Sequence, residues 1–313
     1  MQRKGQNALN TRARSYIYIL AAAALWGCIG IFFKLLTTAG LDAMQSVAVR
    51  VVLSAVIYTV WLLATNRKAL KIRLRDFPLF IGTGICSLVF FNWCYFNAIE
   101  RSGISVAVVL LYTAPIFVML MSAAVFRERI TKLKVIALII TFAGCVLVTG
   151  ALSGGSRIGL SALLFGLGSG FGYALYSIFG KLALRRYTSE TVTAYSFIVG
   201  AVGILPLIRF REVCAALSTP GGAAGAVCIA VLCCILPYIL YTAGLNGVEP
   251  GRASMMATLE PVVGSVLGMA VYREEITAAK IIGVLLVVGA ICLLSVGGNS
   301  RTAELDGTAR KDK

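Results

Sequence analysis

Two related stretches of sequence lie 146 positions apart: residues 115–131 read PIFVMLMSAAVFRERIT, and residues 261–277 read PVVGSVLGMAVYREEIT. Each begins with a proline, continues through an apolar run and ends in an Arg-Glu-x-Ile-Thr motif. An internal repeat of this kind indicates that the chain contains two copies of one structural unit.

The repeat extends in both directions from this stretch. At the same offset Tyr95 matches Tyr241 and Lys134 matches Lys280, and residues 31–35 recur 147 positions later as residues 178–182. We therefore expect a first repeat over residues 16–151 and a second over residues 157–296. Residues 1–15 and 297–313 form the tails.

Composition places both repeats in a membrane, because 59% of the 313 residues are hydrophobic and only 13% are charged. The apolar residues fall in ten blocks, each near the roughly 20 residues that a helix needs to cross a bilayer. Seven blocks carry no charge, at residues 15–33, 77–99, 102–126, 135–156, 158–180, 191–208 and 281–300, and three contain or adjoin one, at 43–65, 221–245 and 251–272.

The sequence thus predicts an all-α integral membrane protein. Short alternating β segments, typical of membrane barrels, are absent from the sequence. Five spans per repeat is an odd number, so the second repeat enters the membrane from the opposite side to the first. The predicted fold is ten transmembrane helices arranged as two inverted five-helix repeats.

The distribution of basic residues predicts the orientation. With the N-terminus in the cytoplasm, twenty of the 29 Lys and Arg residues fall on the cytoplasmic side and six on the other, as expected for a cell (inner) membrane protein with both termini cytoplasmic. Topology and anionic lipid head groups account for the net charge of +16, so no nucleic-acid partner is expected.

The paired proline helices with their Arg-Glu-x-Ile-Thr ends, together with Leu25-Trp26-Gly27 in the first span, resemble the EamA family of the drug/metabolite transporter superfamily. The resemblance covers about residues 16–295 and implies the ten-helix fold and a small-molecule transport function. It does not imply a substrate, since relatives export amino acids, metabolites or drugs and others carry nucleotide sugars or triose phosphates.

Two prolines are candidates for gating. Pro115 and Pro261 each fall near the middle of a predicted span, where a missing backbone donor is tolerated only against protein or a wet cavity. A packing kink is the alternative for either proline alone, but matched interruptions in two repeats favour a place beside the substrate site.

Two charges lie deep within predicted spans. Glu260 precedes Pro261, and a carboxylate at that depth is expected to carry a proton, bind a substrate amine or pair with a neighbouring helix. Arg50 lies too deep to reach the surface easily and is expected either to bind a substrate anion or to pair with Glu260. Lys34 and Lys181 lie near helix ends, where they are expected to reach the membrane surface.

Aromatic residues complete the predicted site. We select Trp26, Tyr95, Tyr112 and Tyr176 as substrate-binding residues beside Arg50 and Glu260, with roles in packing or in a lipid-facing belt left open. Tyr173, Tyr238 and Tyr241 are further candidates.

No nucleotide motor is evident in the sequence. The glycines at positions 166, 168, 170 and 172 follow no strand and lack Gly-Lys-Ser, so we expect them to serve close helix packing. The chain has no histidine and its nine cysteines lack CxxC spacing, so no metal or cofactor is predicted.

We therefore expect a secondary transporter that exports small metabolites such as amino acids by alternating access, without ATP hydrolysis. The alternatives are a proton-coupled exporter of drugs or quaternary cations and a non-transporting membrane scaffold. An enzyme is disfavoured because the spans hold no carboxylate pair or histidine for acid and base chemistry. Protons are a candidate coupling ion, and a monomer or a homodimer would suit.

Overall fold

The structure of the protein, a computed structural model, describes residues 2–150, 158–273, 275 and 277–308, with side chains of 11–150, 158–271, 273, 275 and 277–295. Ten helices in this part of the chain are long and apolar enough to span a membrane, and we label them α1 to α10. Their bounds are Thr11–Thr38, Ala43–Thr65, Leu74–Ser102, Ile104–Phe126, Lys132–Thr149, Leu160–Ala183, Ser189–Leu207, Pro220–Gly247, Pro250–Val271 and Ala278–Ser295. The predicted fold class is confirmed; the predicted repeat boundaries at 151 and 157 lie outside the described residues.

Hydrogen bonds at both ends of α2 and α7 show that these equivalent helices run in opposite directions. Gln45, at the start of α2, donates from Nε2 to the carbonyl of Leu207 at the end of α7, at 3.0 Å. Asn66, just after α2, donates to Glu190 at the start of α7, at 2.7 Å. This antiparallel pairing is the geometry that an inverted repeat requires.

The two halves interlock through matching sets of helix contacts. α1 packs against α8 and α9, and its counterpart α6 packs against α3 and α4. α5 and α10 pack against each other, as do α2 and α7. Every one of these contacts is reproduced when the two halves are exchanged.

The repeated Arg-Glu-x-Ile-Thr motif ends one helix and begins the next. Arg127 and Arg273 adopt the left-handed conformation at the ends of α4 and α9, with φ of 57° and 54°. Thr131 then accepts a hydrogen bond from the N–H of Lys134 at the start of α5, and Thr277 does the same for α10. The motif is thus a helix C-cap followed by an N-cap. Glu274 and Ile276 of the second copy lie outside the described residues.

The glycine run of α6 permits close contact with its neighbours, as predicted. A Cβ at Gly166 would lie 2.2 Å from Leu110 of α4, and one at Gly170 would lie 2.5 Å from the hydroxyl of Thr113. Side chains at these positions would therefore force the two helices apart.

Both proline helices are interrupted. α4 consists of Ile104–Leu111 and Ala114–Phe126, and α9 consists of Pro250–Ala257 and Leu259–Tyr272. At the breaks, Thr113 and Thr258 donate from their hydroxyls to carbonyls one turn earlier, at 2.6 and 2.5 Å. These bonds help to satisfy backbone carbonyls, which cannot form hydrogen bonds with lipid tails.

Candidate functional site

Two adjoining cavities lie at the interface of the repeats and share Tyr173. The space between atoms in and around them, open solvent included, is about 260 Å³ for the first and about 220 Å³ for the second. The first is lined by Trp26, Ser87, Phe91, Tyr173, Tyr176, Ser177, Tyr238 and Tyr241, and the second by Leu111, Tyr112, Ala114, Pro115, Tyr173, Ser254, Ala257 and Thr258. The contributing helices are α1, α3, α4, α6, α8 and α9, which form three pairs of equivalents.

Aromatic rings dominate the first cavity. The ring of Trp26 lies 5.3 Å from that of Tyr238 at an interplanar angle of 75°, and 5.3 Å from that of Tyr241. Tyr176 meets Tyr238 edge to face at 4.9 Å. Such contacts hold the rings in fixed orientations and present both ring faces and edges to a ligand.

Hydroxyl pairs fix this aromatic cluster between α6 and α8. The Tyr176 hydroxyl lies 2.8 Å from that of Thr242, and the Ser177 hydroxyl lies 2.8 Å from that of Tyr241. Thr193 of α7 also donates to Thr242, at 3.4 Å. Because these hydroxyls bind one another, the buried tyrosines carry few unsatisfied polar groups.

Two of the helices that line the first cavity, α3 and α8, contain related irregular segments. α3 is a π-helix over Gly82–Val89 and α8 is one over Val231–Ile235, and the two segments overlap when the halves are aligned at the repeat offset. π-helical segments are rare and are frequent at functional sites.

Arg50 is a buried cation beside this site. Its side chain belongs to α2, the residue is 7% exposed, and its Nε has no hydrogen-bond partner. It lies within electrostatic range of Tyr238 and Glu260. Among the described residues, however, no carboxylate forms an ion pair with it. The structure therefore contains no direct Arg50–Glu260 pair.

Glu260 lies in the first turn of the second segment of α9. It is partly buried and lies within electrostatic range of Tyr95, Tyr112 and Tyr173. The amino end of a helix segment favours a negative charge. The break in α9 therefore provides a local environment for a carboxylate at membrane depth.

The structure brings most of the predicted residues together. Trp26 and Tyr176 line the first cavity, and Tyr112 and Pro115 line the second. Tyr95 is not among the residues that line the two cavities, but its ring lies 6.1 Å from that of Phe91, which lines the first. Pro261 follows Glu260 in the first turn of the second α9 segment.

The predicted substrate-binding set left out several cavity residues, including Tyr173, Tyr238 and Tyr241, which the sequence offered only as further candidates. Their spacing carried a usable signal. Tyr173, Tyr176 and Ser177 stand at i, i+3 and i+4, and Tyr238 and Tyr241 stand at i and i+3, so each set shares one helix face. Phe91 and Ser87, at i and i+4 on α3, follow the same rule.

Lys181 has partners that the sequence did not predict. Its ammonium group donates to the carbonyls of Asn246 and Val248, at 3.3 and 3.1 Å, and to that of Leu245. These carbonyls lie at the end of α8, where a cation binds the unpaired backbone groups favourably.

Comparison with known proteins agrees with this fold. The profile of the EamA-like transporter family matches residues 13–150 and again residues 160–296. Uncharacterized transporter YwfM of Bacillus subtilis is 25% identical over 292 residues, spanning 92% of this chain and 96% of that protein. An uncharacterized transporter of Archaeoglobus fulgidus is 28% identical over 218 residues, spanning 68% of this chain and 75% of that protein.

A solved crystal structure shares the fold. It superimposes with a TM-score of 0.75 at 17% identity, covering 91% of this chain and 97% of its own. The family profile matches both halves and together its two matches span most of the sequence. This chain therefore belongs to the EamA-like transporter family.

Proposed function

We propose that the protein is a secondary transporter that exports small metabolites such as amino acids by alternating access, without ATP hydrolysis. The observation that supports this most directly is the position of the cavities, which lie between inverted repeats and beside the breaks of α4 and α9. Interrupted helices in matched positions are how many secondary transporters build a substrate site.

The charges favour a zwitterionic substrate. A carboxylate would bind the unpartnered Arg50, and an ammonium group would bind Glu260. The aromatic rings would contact the rest of the molecule. The proposed substrate-binding residues are Arg50, Glu260, Trp26, Tyr95, Tyr112 and Tyr176.

One feature favours a second candidate function, proton-coupled export of drugs or quaternary cations. Glu260 lies among tyrosines, and a carboxylate with aromatic ring faces is a suitable environment for an organic cation. Under this alternative Glu260 would exchange the cation for a proton, and Arg50 would oppose binding.

The remaining proposals concern gating and orientation. Pro115 and Pro261 would form the hinges of the gates, since both follow helix breaks. The protein would lie in the cell (inner) membrane with residues 1–15 and 297–313 in the cytoplasm, flanking repeats at 16–151 and 157–296. It would act as a monomer or a homodimer.

Glu260→Gln tests this function in proteoliposomes that carry the purified protein. The amide keeps the size and hydrogen bonding of the side chain, so the fold should persist while gradient-driven flux of labelled amino acids, or its pH dependence, is lost. Glu212→Gln, an exposed carboxylate between α7 and α8, is the matched control and should transport normally.

The identity of the transported substrates distinguishes the two candidate functions. Flux of amino acids but not of quaternary ammonium compounds supports the first proposal, and the reverse supports the second. Normal flux of Glu260→Gln at every pH would show that the carboxylate is structural, and absence of any flux from the parent protein would contradict transport of both classes.

A further inference from the structure

A buried lysine lies at the face of the molecule where α4 ends and α9 begins. Lys134, at the start of α5, is 2% exposed. Its ammonium nitrogen lies 2.8 Å from a carboxylate oxygen of Glu249 and 3.6 Å from one of Glu128. It also donates to the carbonyl of Arg129, at 3.3 Å. These contacts lie outside both cavities.

Glu249 has a second cationic partner. Arg252, in the first segment of α9, is 5% exposed and its Nε lies 3.3 Å from the same carboxylate oxygen. Its Nη1 donates to the carbonyl of Leu294 of α10, at 2.9 Å. Burial raises the pKa of Glu249, but the hydrogen bonds and charges of Lys134 and Arg252 together outweigh it and hold that pKa below its ordinary value. Glu249 is therefore ionised at neutral pH.

Within this cluster, one ion pair joins the two halves of the protein. Lys134 and Glu128 belong to the first half, and Glu249 and Arg252 to the second, so only the Lys134–Glu249 pair crosses between them. If that pair separates, Lys134 keeps Glu128 and Glu249 keeps Arg252. Separation thus leaves neither charge buried without a counter-ion, which would otherwise be strongly unfavourable.

The pair lies at the seam between the two interrupted helices. A Cβ at Gly251 of α9 would lie 3.7 Å from the Cα of Met119 of α4, so the helices are in close contact there. One turn further along α9, Ser254 lines the second cavity. The pair therefore lies between that cavity and the outer edge of this face.

The second half's members of this cluster, Glu249 and Arg252, are not repeated in the sequence of the first half. At the repeat offset of 146, the positions of Glu249 and Arg252 correspond to Gly103 and Val106, whose side chains carry no charge. The two gates of an otherwise symmetric fold therefore differ in chemistry.

We propose that the Lys134–Glu249 ion pair is a latch that closes the α4–α9 seam on the proposed cytoplasmic face and separates when that face opens, leaving the Lys134–Glu128 and Glu249–Arg252 pairs in place. The inference rests on the proposed alternating-access function. Because both charges retain a partner when the pair separates, the latch biases the equilibrium between closed and open states without locking it.

Thiol accessibility tests the latch without a substrate. Ser254→Cys in a cysteine-free chain places a thiol directly behind the seam. We expect Glu249→Gln to raise its alkylation rate from the face of residues 127–134 by about tenfold, the effect expected for loss of one charge-assisted hydrogen bond. Glu212→Gln, in an exposed pair within one half, should leave the rate unchanged.

Glu128→Gln distinguishes a latch from a structural cluster. Removing Glu128 takes away the partner that Lys134 uses in the open state, so the alkylation rate should fall, opposite in sign to Glu249→Gln. An unchanged rate in Glu249→Gln, or an increase in both variants, would overturn the proposal. If the cysteine-free chain does not fold, hydrogen exchange of residues 250–257 in the otherwise native chain gives the same comparison.

The experiments can contradict the transport function and the latch independently of each other. A latch response without any flux would contradict transport and leave the latch in place, whereas flux with no response to Glu249→Gln would contradict the latch alone.

Discussion

Arg50 shows how a single residue can carry information about a ligand. A cation that is 7% exposed, with an unpartnered Nε and no paired carboxylate among the described residues, lies in an unfavourable environment. A bound anion would relieve this cost. This environment supports the proposal that the arginine is part of a binding site.

Arg50→Ala is expected to weaken transport of carboxylate-bearing substrates by about 10- to 100-fold, the range for loss of a charge-assisted hydrogen bond worth roughly 1.5–3 kcal/mol. The measurement is inhibition of labelled-substrate flux by two unlabelled competitors, an amino acid and the corresponding amine that lacks the carboxylate. Only the amino acid should lose affinity. Arg211→Ala, an exposed arginine near α7, is the control. Equal loss for both competitors would assign Arg50 a structural role.

At the scale of the element, the most informative features are the broken helices α4 and α9. Their prolines were visible in the sequence, and the structure places the interruptions two to three residues earlier, at residues 112–113 and 258. The hydroxyls of Thr113 and Thr258 then bind carbonyls at the breaks. The break is thus a property of several residues, of which the proline is one.

Replacing Pro115 or Pro261 with Ala is expected to keep insertion intact and to slow alternation between states. A restored backbone hydrogen bond of about 1 kcal/mol would reduce the flux by about fivefold. Exchange flux in proteoliposomes measures this. Pro206→Ala, in the exposed last turn of α7, should have no such effect. Wild-type flux in both gating variants would mean that the threonines alone maintain the breaks.

At the scale of the whole molecule, the ten spans and their inversion were predictable because hydropathy and repeat register are properties of the linear sequence. The cavity was less predictable. Tyr173 and Tyr241 lie in helices that are apolar on nearly every side, so only packing decides which face lines a cavity. The Lys134–Glu249 pair could not be predicted from the sequence either, because it forms where two connectors that are distant in the sequence meet in the fold.

The last prediction follows from the inverted orientation of the two repeats. Thr131 and Thr277 occupy the same N-cap position in the two copies of one motif, yet an odd number of spans between them puts them on opposite faces. With both termini in the cytoplasm, a single cysteine at Thr277 should react with an impermeant thiol reagent added outside intact cells, and one at Thr131 should not. Permeabilising the cells should make Thr131→Cys reactive, which controls for burial. Equal labelling in intact cells would contradict the inverted topology, and labelling of Thr131→Cys alone would keep the inversion but reverse the proposed orientation of the latch.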